Sequence, residues 1–142
     1  MDKSIIQATL KQAGDDLLDQ AKKIAADSEA QELASARPLK EMHLKFSQLI
    51  QLPLNSDDRF LLFFMTTYID DIFANLLLDS PFSTEIEEAR EILFKEIGEL
   101  LHRLAGAYLK NQQGELFEIL KELTRVYLEK IDRMNQVAME VL

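Results

Sequence analysis

The sequence predicts an all-α fold: a single-domain antiparallel bundle of four or five helices spanning residues 1–142, with a central, nearly all-apolar helix at about 57–79. Three observations carry this expectation. Four glycines and three prolines in 142 residues leave too few turn formers for a β-sandwich or barrel. Hydrophobic residues at 47% and charged residues at 29% describe a chain that can bury one core, not a disordered one. Apolar residues also recur at steps of three and four along most of the length, the period of an amphipathic helix.

Residues 3–34 carry Ile6, Leu10, Ala13, Leu17, Ala21 and Ile24 on one stripe. Gly14, followed by Asp15 and Asp16, is the one place where this helix could divide, since Gly ends helices and Asp caps them. Ser35-Ala-Arg-Pro38 breaks the pattern, and Pro38 suits a first helical turn. A short helix with Leu39, Met42, Phe46 and Leu49 or Ile50 on one side follows, and Pro53 disfavours helix at Leu52. Ser56 is then the expected N-cap, with Asp57 and Asp58 at the positive end of the next helix dipole.

That next helix is the apolar one. Phe60 to Met65, Tyr68, Ile69, Ile72, Phe73 and Leu76 to Leu78 cover most of its circumference, which predicts burial within the bundle or against a second protein. Its polar strip is Thr67, Asp71, Asn75 and Asp79, widened by Thr66 and Asp70. Ser80-Pro-Phe-Ser83 is a loop, and Thr84 with Glu87 forms a capping box that opens the fourth helix. Ile86, Ala89, Leu93, Ile97, Leu100, Leu104 and Tyr108 are its core stripe, while Gly98, Ala105 and Gly106 would admit a close neighbour. Asn111 to Gly114 ends it. Leu116, Leu120, Leu123, Tyr127, Ile131, Met134, Ala138 and Val141 mark the fifth helix. Short connections predict antiparallel neighbours.

Charge narrows the function classes. Sixteen bases against 25 acids give a net charge of −9, which disfavours direct contact with nucleic acid or an anionic membrane. Only residues 33–55 are net basic, and Arg37, Lys40 and Lys45 are too few for a nucleic-acid footprint. With no cysteine, the chain has no disulfide, thiol nucleophile or thiolate-bound metal, which fits the cytoplasm. The first residues lack the pattern of a signal peptide. Phe60 to Leu78 is long enough to span a bilayer, but Asp70 and Asp71 in its middle would each cost about 3 kcal/mol.

Four residues are the candidates for chemistry: Asp70, Asp71, Glu99 and His102. Glu99-Leu-Leu-His102 places a carboxylate and an imidazole on one helix face, as di-iron bundles do, but those bundles need the pattern twice. The other histidine, His43, follows Glu41 at the wrong spacing. Asp70 and Asp71 point about 100° apart on a helix, so at most one is expected to face inward, where an acid must be paired or shift its pKa. The isoprenoid-synthase pattern needs a third acid at position 74, which is Ala. Glu115/Glu118 and Glu129/Asp132 have the residue types that hold magnesium in helical pyrophosphohydrolases, yet both pairs fall on one helix, where they cannot converge. No phosphate loop, nucleophile elbow or Ser/His/Asp set is present, and no cofactor is expected.

Over residues 68–82, Tyr68-Ile-Asp-Asp71 followed by Ser80-Pro-Phe82 resembles the acidic-pair helix and aromatic turn of the DotU-type cytoplasmic component of type VI secretion. The glycine-rich segment that follows the turn in that family has no counterpart here. The expectation drawn from the residues is a non-enzymatic interaction module: a small adaptor, regulator or assembly chaperone binding another protein, as a homodimer or hetero-complex. Two alternatives belong to other classes. One is an acidic nucleic-acid mimic occupying the basic cleft of a DNA- or RNA-binding protein, with its acids clustered on one surface. The other is a metal-dependent hydrolase using the four candidate residues across adjacent helices.

Overall fold

A computed structural model describes residues 3–26, 36–75 and 84–141. It contains five helices in chain order: α1 (Lys3–Ala26), α2 (Ala36–Ile50), α3 (Ser56–Ala74), α4 (Thr84–Leu109) and α5 (Gln113–Val141). The all-α bundle expected from the sequence is the fold. No helix among the described residues is long and apolar enough to cross a membrane. Leu76 to Leu78, Asp79, the loop at 80–83 and the C-terminal part of the expected first helix lie outside the described residues.

α1 does not divide at Gly14; it runs unbroken from Lys3 to Ala26, and all six residues of its expected stripe are buried. Gly14 serves packing instead. A Cβ there would lie 2.5 Å from the His102 ring and 2.9 Å from the Gly98 carbonyl, and one at Gly98 would lie 2.8 Å from Leu18. The backbones of α1 and α4 therefore cross where both lack a side chain, as the small residues of α4 had suggested for Gly98. Gly106 differs, because a Cβ there meets nothing within 4 Å. Gly106→Ala should stabilise the protein by about 0.5–1 kcal/mol through helix propensity. Gly14→Ala should destabilise it by about 1–3 kcal/mol, because the backbones must part and overpacking outweighs the propensity gain. Urea-unfolding midpoints of the two variants should move in opposite directions.

Helix ends follow local chemistry with one shift. Asn55, not Ser56, caps α3: its side chain accepts from the Asp58 amide at 2.8 Å, and Ser56 is already helical. Asn and Ser are about equally good caps, so the neighbouring residues competed on equal terms, and Asn55 is the one with the extended backbone of a cap. α4 ends on Asn111, at φ 57, with Gln112 N–H donating to the Ala107 carbonyl and Asn111 N–H to the Tyr108 carbonyl. This is a Schellman end with Asn in the left-handed position. Gly114 is already inside α5.

α4 packs against both α1 and α5, while α2 packs on α3 and, less extensively, on α1. Lys3 reaches Asn111 and Asp15 reaches His102, so α1 and α4 are antiparallel; Arg103 to Glu115 and Lys130 to Glu96 show the same for α4 and α5. α4 buries two faces, Leu93, Ile97, Leu100 and Leu104 on one side and Phe94, Leu101 and Ala105 on another. α3 is the helix that departs from expectation. Leu61, Leu62, Met65, Ile69 and Ile72 are buried, but Phe60 and Phe63 are 60% and 65% exposed. Nothing among the described residues covers that side, so α3 is wrapped on one face and open on the other. α5 buries Ile119, Val126 and Val137 in addition to its expected stripe, while Tyr127 is only half-buried. The side chains of Ala138 and Val141 lie outside the described set.

Candidate functional site

The open side of α3 faces α5. Tyr68 Oη donates to the Leu123 carbonyl at 2.5 Å, and Asn75 Nδ2 donates to Tyr127 Oη at 3.1 Å. Position 68 therefore meets 123 and position 75 meets 127, so the two helices run in the same direction. Side chains rather than close backbones span the gap. Tyr68 stacks on Phe64 at 5.7 Å between ring centroids and tilts against Tyr127 at 5.9 Å.

Above this floor lies an open trench of about 390 Å³, walled by Phe60, Phe63, Phe64 and Thr67 of α3 and by Thr124, Tyr127 and Leu128 of α5. Leu128 and Phe117 are 61% and 60% exposed. Phe60, Phe63 and Leu128 face solvent along this one groove, unlike apolar residues scattered singly over a surface.

The charges around it are unevenly matched. On α5, Lys121 bonds Glu118 at 3.2 Å, and Arg125 holds both Glu122 and Glu129. The Arg125 guanidinium, through its hydrogen bond, draws Glu122 below the usual carboxylate range. Those cations are occupied by their own helix. Across the trench Asp71 lines the groove and makes no ion pair among the described residues. Burial, with Asp71 next in effect, raises the Tyr127 pKa; Tyr68 is raised more strongly by burial and then by Tyr127.

At the N-terminal end of α3 the trench continues past Phe60 into a smaller pocket of about 200 Å³ between Phe60, Leu61, Tyr108, Leu116 and Phe117. Asp57, Asp58 and Gln113 supply its polar lining. Asp58 is only 7% exposed, and no Lys, Arg or His among the described residues pairs with it. The Tyr108 hydroxyl is buried beside Asp58. Burial, then the charge of Asp58 and a hydrogen bond to it, pushes the Tyr108 pKa well above the ordinary phenol value. Lys3 sits over the Tyr108 ring at 4.9 Å and bonds Asn111 rather than Asp58.

The four residues singled out for chemistry are not brought together. Asp70 is exposed and meets His43 at 3.1 Å between α3 and α2. His102 meets Asp15 at 2.6 Å between α4 and α1. Asp71 faces the trench, and Glu99 is exposed. Neither Asp70 nor Asp71 points inward. Among the described residues no three His, Asp or Glu side chains gather as metal ligands. Glu115, Glu118, Glu129 and Asp132 bond Arg103, Lys121, Arg125 and Gln136 on the surface.

No protein-family model, curated protein or solved structure matches this chain. The chemistry of the site therefore rests on its own residues. Two of them escaped the sequence reading. Asp58 passed for a solvated first-turn acid like Asp57, because Tyr108, Leu116 and Phe117, which share its pocket, come from α4 and α5. Phe117 lies beside the Leu116 stripe and carried no separate signal, although its exposed position one residue off the core face was available to periodicity.

Proposed function

We propose that this chain is a non-enzymatic protein-interaction module of the cytoplasm, a small adaptor, regulator or assembly chaperone, which seats a helix of a partner protein in the α3–α5 groove. The exposure of Phe60 and Phe63 opposite Leu128 carries the reading. Two helices held apart by a floor of tyrosines leave a trough with apolar walls, the shape that receives the apolar face of an amphipathic helix. Burying these side chains would supply the removal of apolar area from water that drives association. The mimic alternative expects acids clustered on one face, whereas on α5 acids and bases alternate in ion pairs, which favours the adaptor reading.

Affinity capture from the native lysate with the tagged chain and with its Phe63→Asp/Leu128→Asp variant tests this. A stoichiometric protein that survives a high-salt wash on the natural chain and is missing from the variant is expected, since an apolar contact is little screened. Equal recovery by both proteins, or release of everything by salt, would refute it.

A further inference from the structure

We infer that the pocket at the N-terminal end of α3 receives a cationic side chain, arginine or lysine, from the partner helix that occupies the adjoining groove; this rests on the groove reading. Asp58 carries the inference. A carboxylate that is 7% exposed and has no cationic partner within the described chain is an expensive group to keep. The α3 N-terminus offsets part of that cost, but a dipole acid does this equally well in solvent, as Asp57 does one residue earlier. Beside Asp58 lies the buried Tyr108 hydroxyl, a neutral group that leaves the carboxylate without a counter-ion. Two buried polar groups thus share one cavity, and no cation among the described residues neutralises the carboxylate.

The walls match the other half of the ligand. Phe60 and Phe117 flank the cavity with exposed rings, suited to the methylene stem and the cationic head of arginine. Phe60 also lines the trench, so the pocket and the groove are one continuous surface. A helix lying in the groove with its apolar face down can place one terminal residue in the pocket. Asp71, at the far end and without an ion pair among the described residues, adds attraction of the same sign. The net charge of −9 disfavours a second copy of this chain as the occupant.

Fluorescence anisotropy with the full chain decides the matter. The probe is a helical peptide of about fifteen residues, with leucines at i, i+3, i+4 and i+7 and one arginine near an end. Its control carries citrulline, the neutral isostere, in place of arginine. The arginine peptide should bind at least about tenfold more tightly than the control, and Asp58→Asn should remove that difference. The free Asp58→Asn protein should be as stable as the natural chain or more so, because it loses an unpaired charge; a marked loss of stability would instead assign Asp58 a structural role. Equal binding of both peptides, lost on Phe63→Asp, would overturn the pocket and leave the groove. Binding of neither peptide, or binding indifferent to Phe63→Asp, would overturn both. A concentration-dependent dimer abolished by Phe63→Asp would show a second copy on this face and also overturn the inference.

Discussion

Replacing Arg90 by leucine is expected to cost about 3–5 kcal/mol of unfolding free energy, a large share of the roughly 5–15 kcal/mol that holds a domain together. Arg90 is 1% exposed and pairs with Glu87, itself buried, one turn earlier on α4. Removing the guanidinium leaves a carboxylate in a site that water barely reaches. The melting temperature should fall by about 10–20 °C at the few degrees per kcal/mol typical of this chain length. Glu87→Leu should cost a similar amount for the converse reason. The double variant should lose less than the sum of the two, because each single change already breaks the same ion pair. A loss under about 1 kcal/mol for either single change would be the value of a solvated surface pair, and would show that the pair is not buried in solution.

Alkali should unfold the protein through its tyrosines. Tyr68 and Tyr108 are buried, and burial raises the pKa of both far above the ordinary value. The folded state therefore holds them neutral, whereas in the unfolded chain they ionise near pH 10. Their contribution is complete below that pH and is lost above it, because the unfolded state then binds fewer protons. Each such group removes about 1.4 kcal/mol per pH unit, so the two remove about 3 kcal/mol per unit together. Tyr127 is raised too, though it is half-buried, and adds a smaller amount. The chain has no tryptophan, so its tyrosinate absorbance can be followed without interference. Absorbance and loss of helical circular dichroism should rise together as one transition. Titration of two tyrosines near pH 10 with the helices intact would contradict the burial described here.

Much of the fold was legible because periodicity encodes which side of a helix is apolar. The stripes of α1, α2 and α4 were all found on the buried side, and Pro38, Pro53 and Thr84 marked real boundaries. Legibility failed where two residues offered the same local chemistry. Asn55 and Ser56 are both good caps, and Asp57 and Asp58 both suit a first turn, so only the packed structure separates the cap from its neighbour and the buried acid from the exposed one. Gly14 had two local meanings, helix end and close approach, and the crossing with Gly98 decided between them. The candidate site was least legible. Phe60 and Phe63 read as core because a phenylalanine records a preference for burial without recording whether a neighbour is available to satisfy it.

What the sequence determined by itself is the set of helices, their approximate ends and the face each would bury, since those follow from residue spacing and from caps a few positions apart. Tertiary structure decided the rest. It placed α4 between α1 and α5, left α3 open toward solvent, directed His102 to Asp15 and His43 to Asp70, and gathered Asp58, Tyr108 and Phe117 around one pocket. Each of these joins residues far apart in the chain, and the free energy of such a contact depends on which helices meet. An amphipathic stripe specifies that it must be covered; the covering partner is selected only when all five helices compete for the same apolar surface.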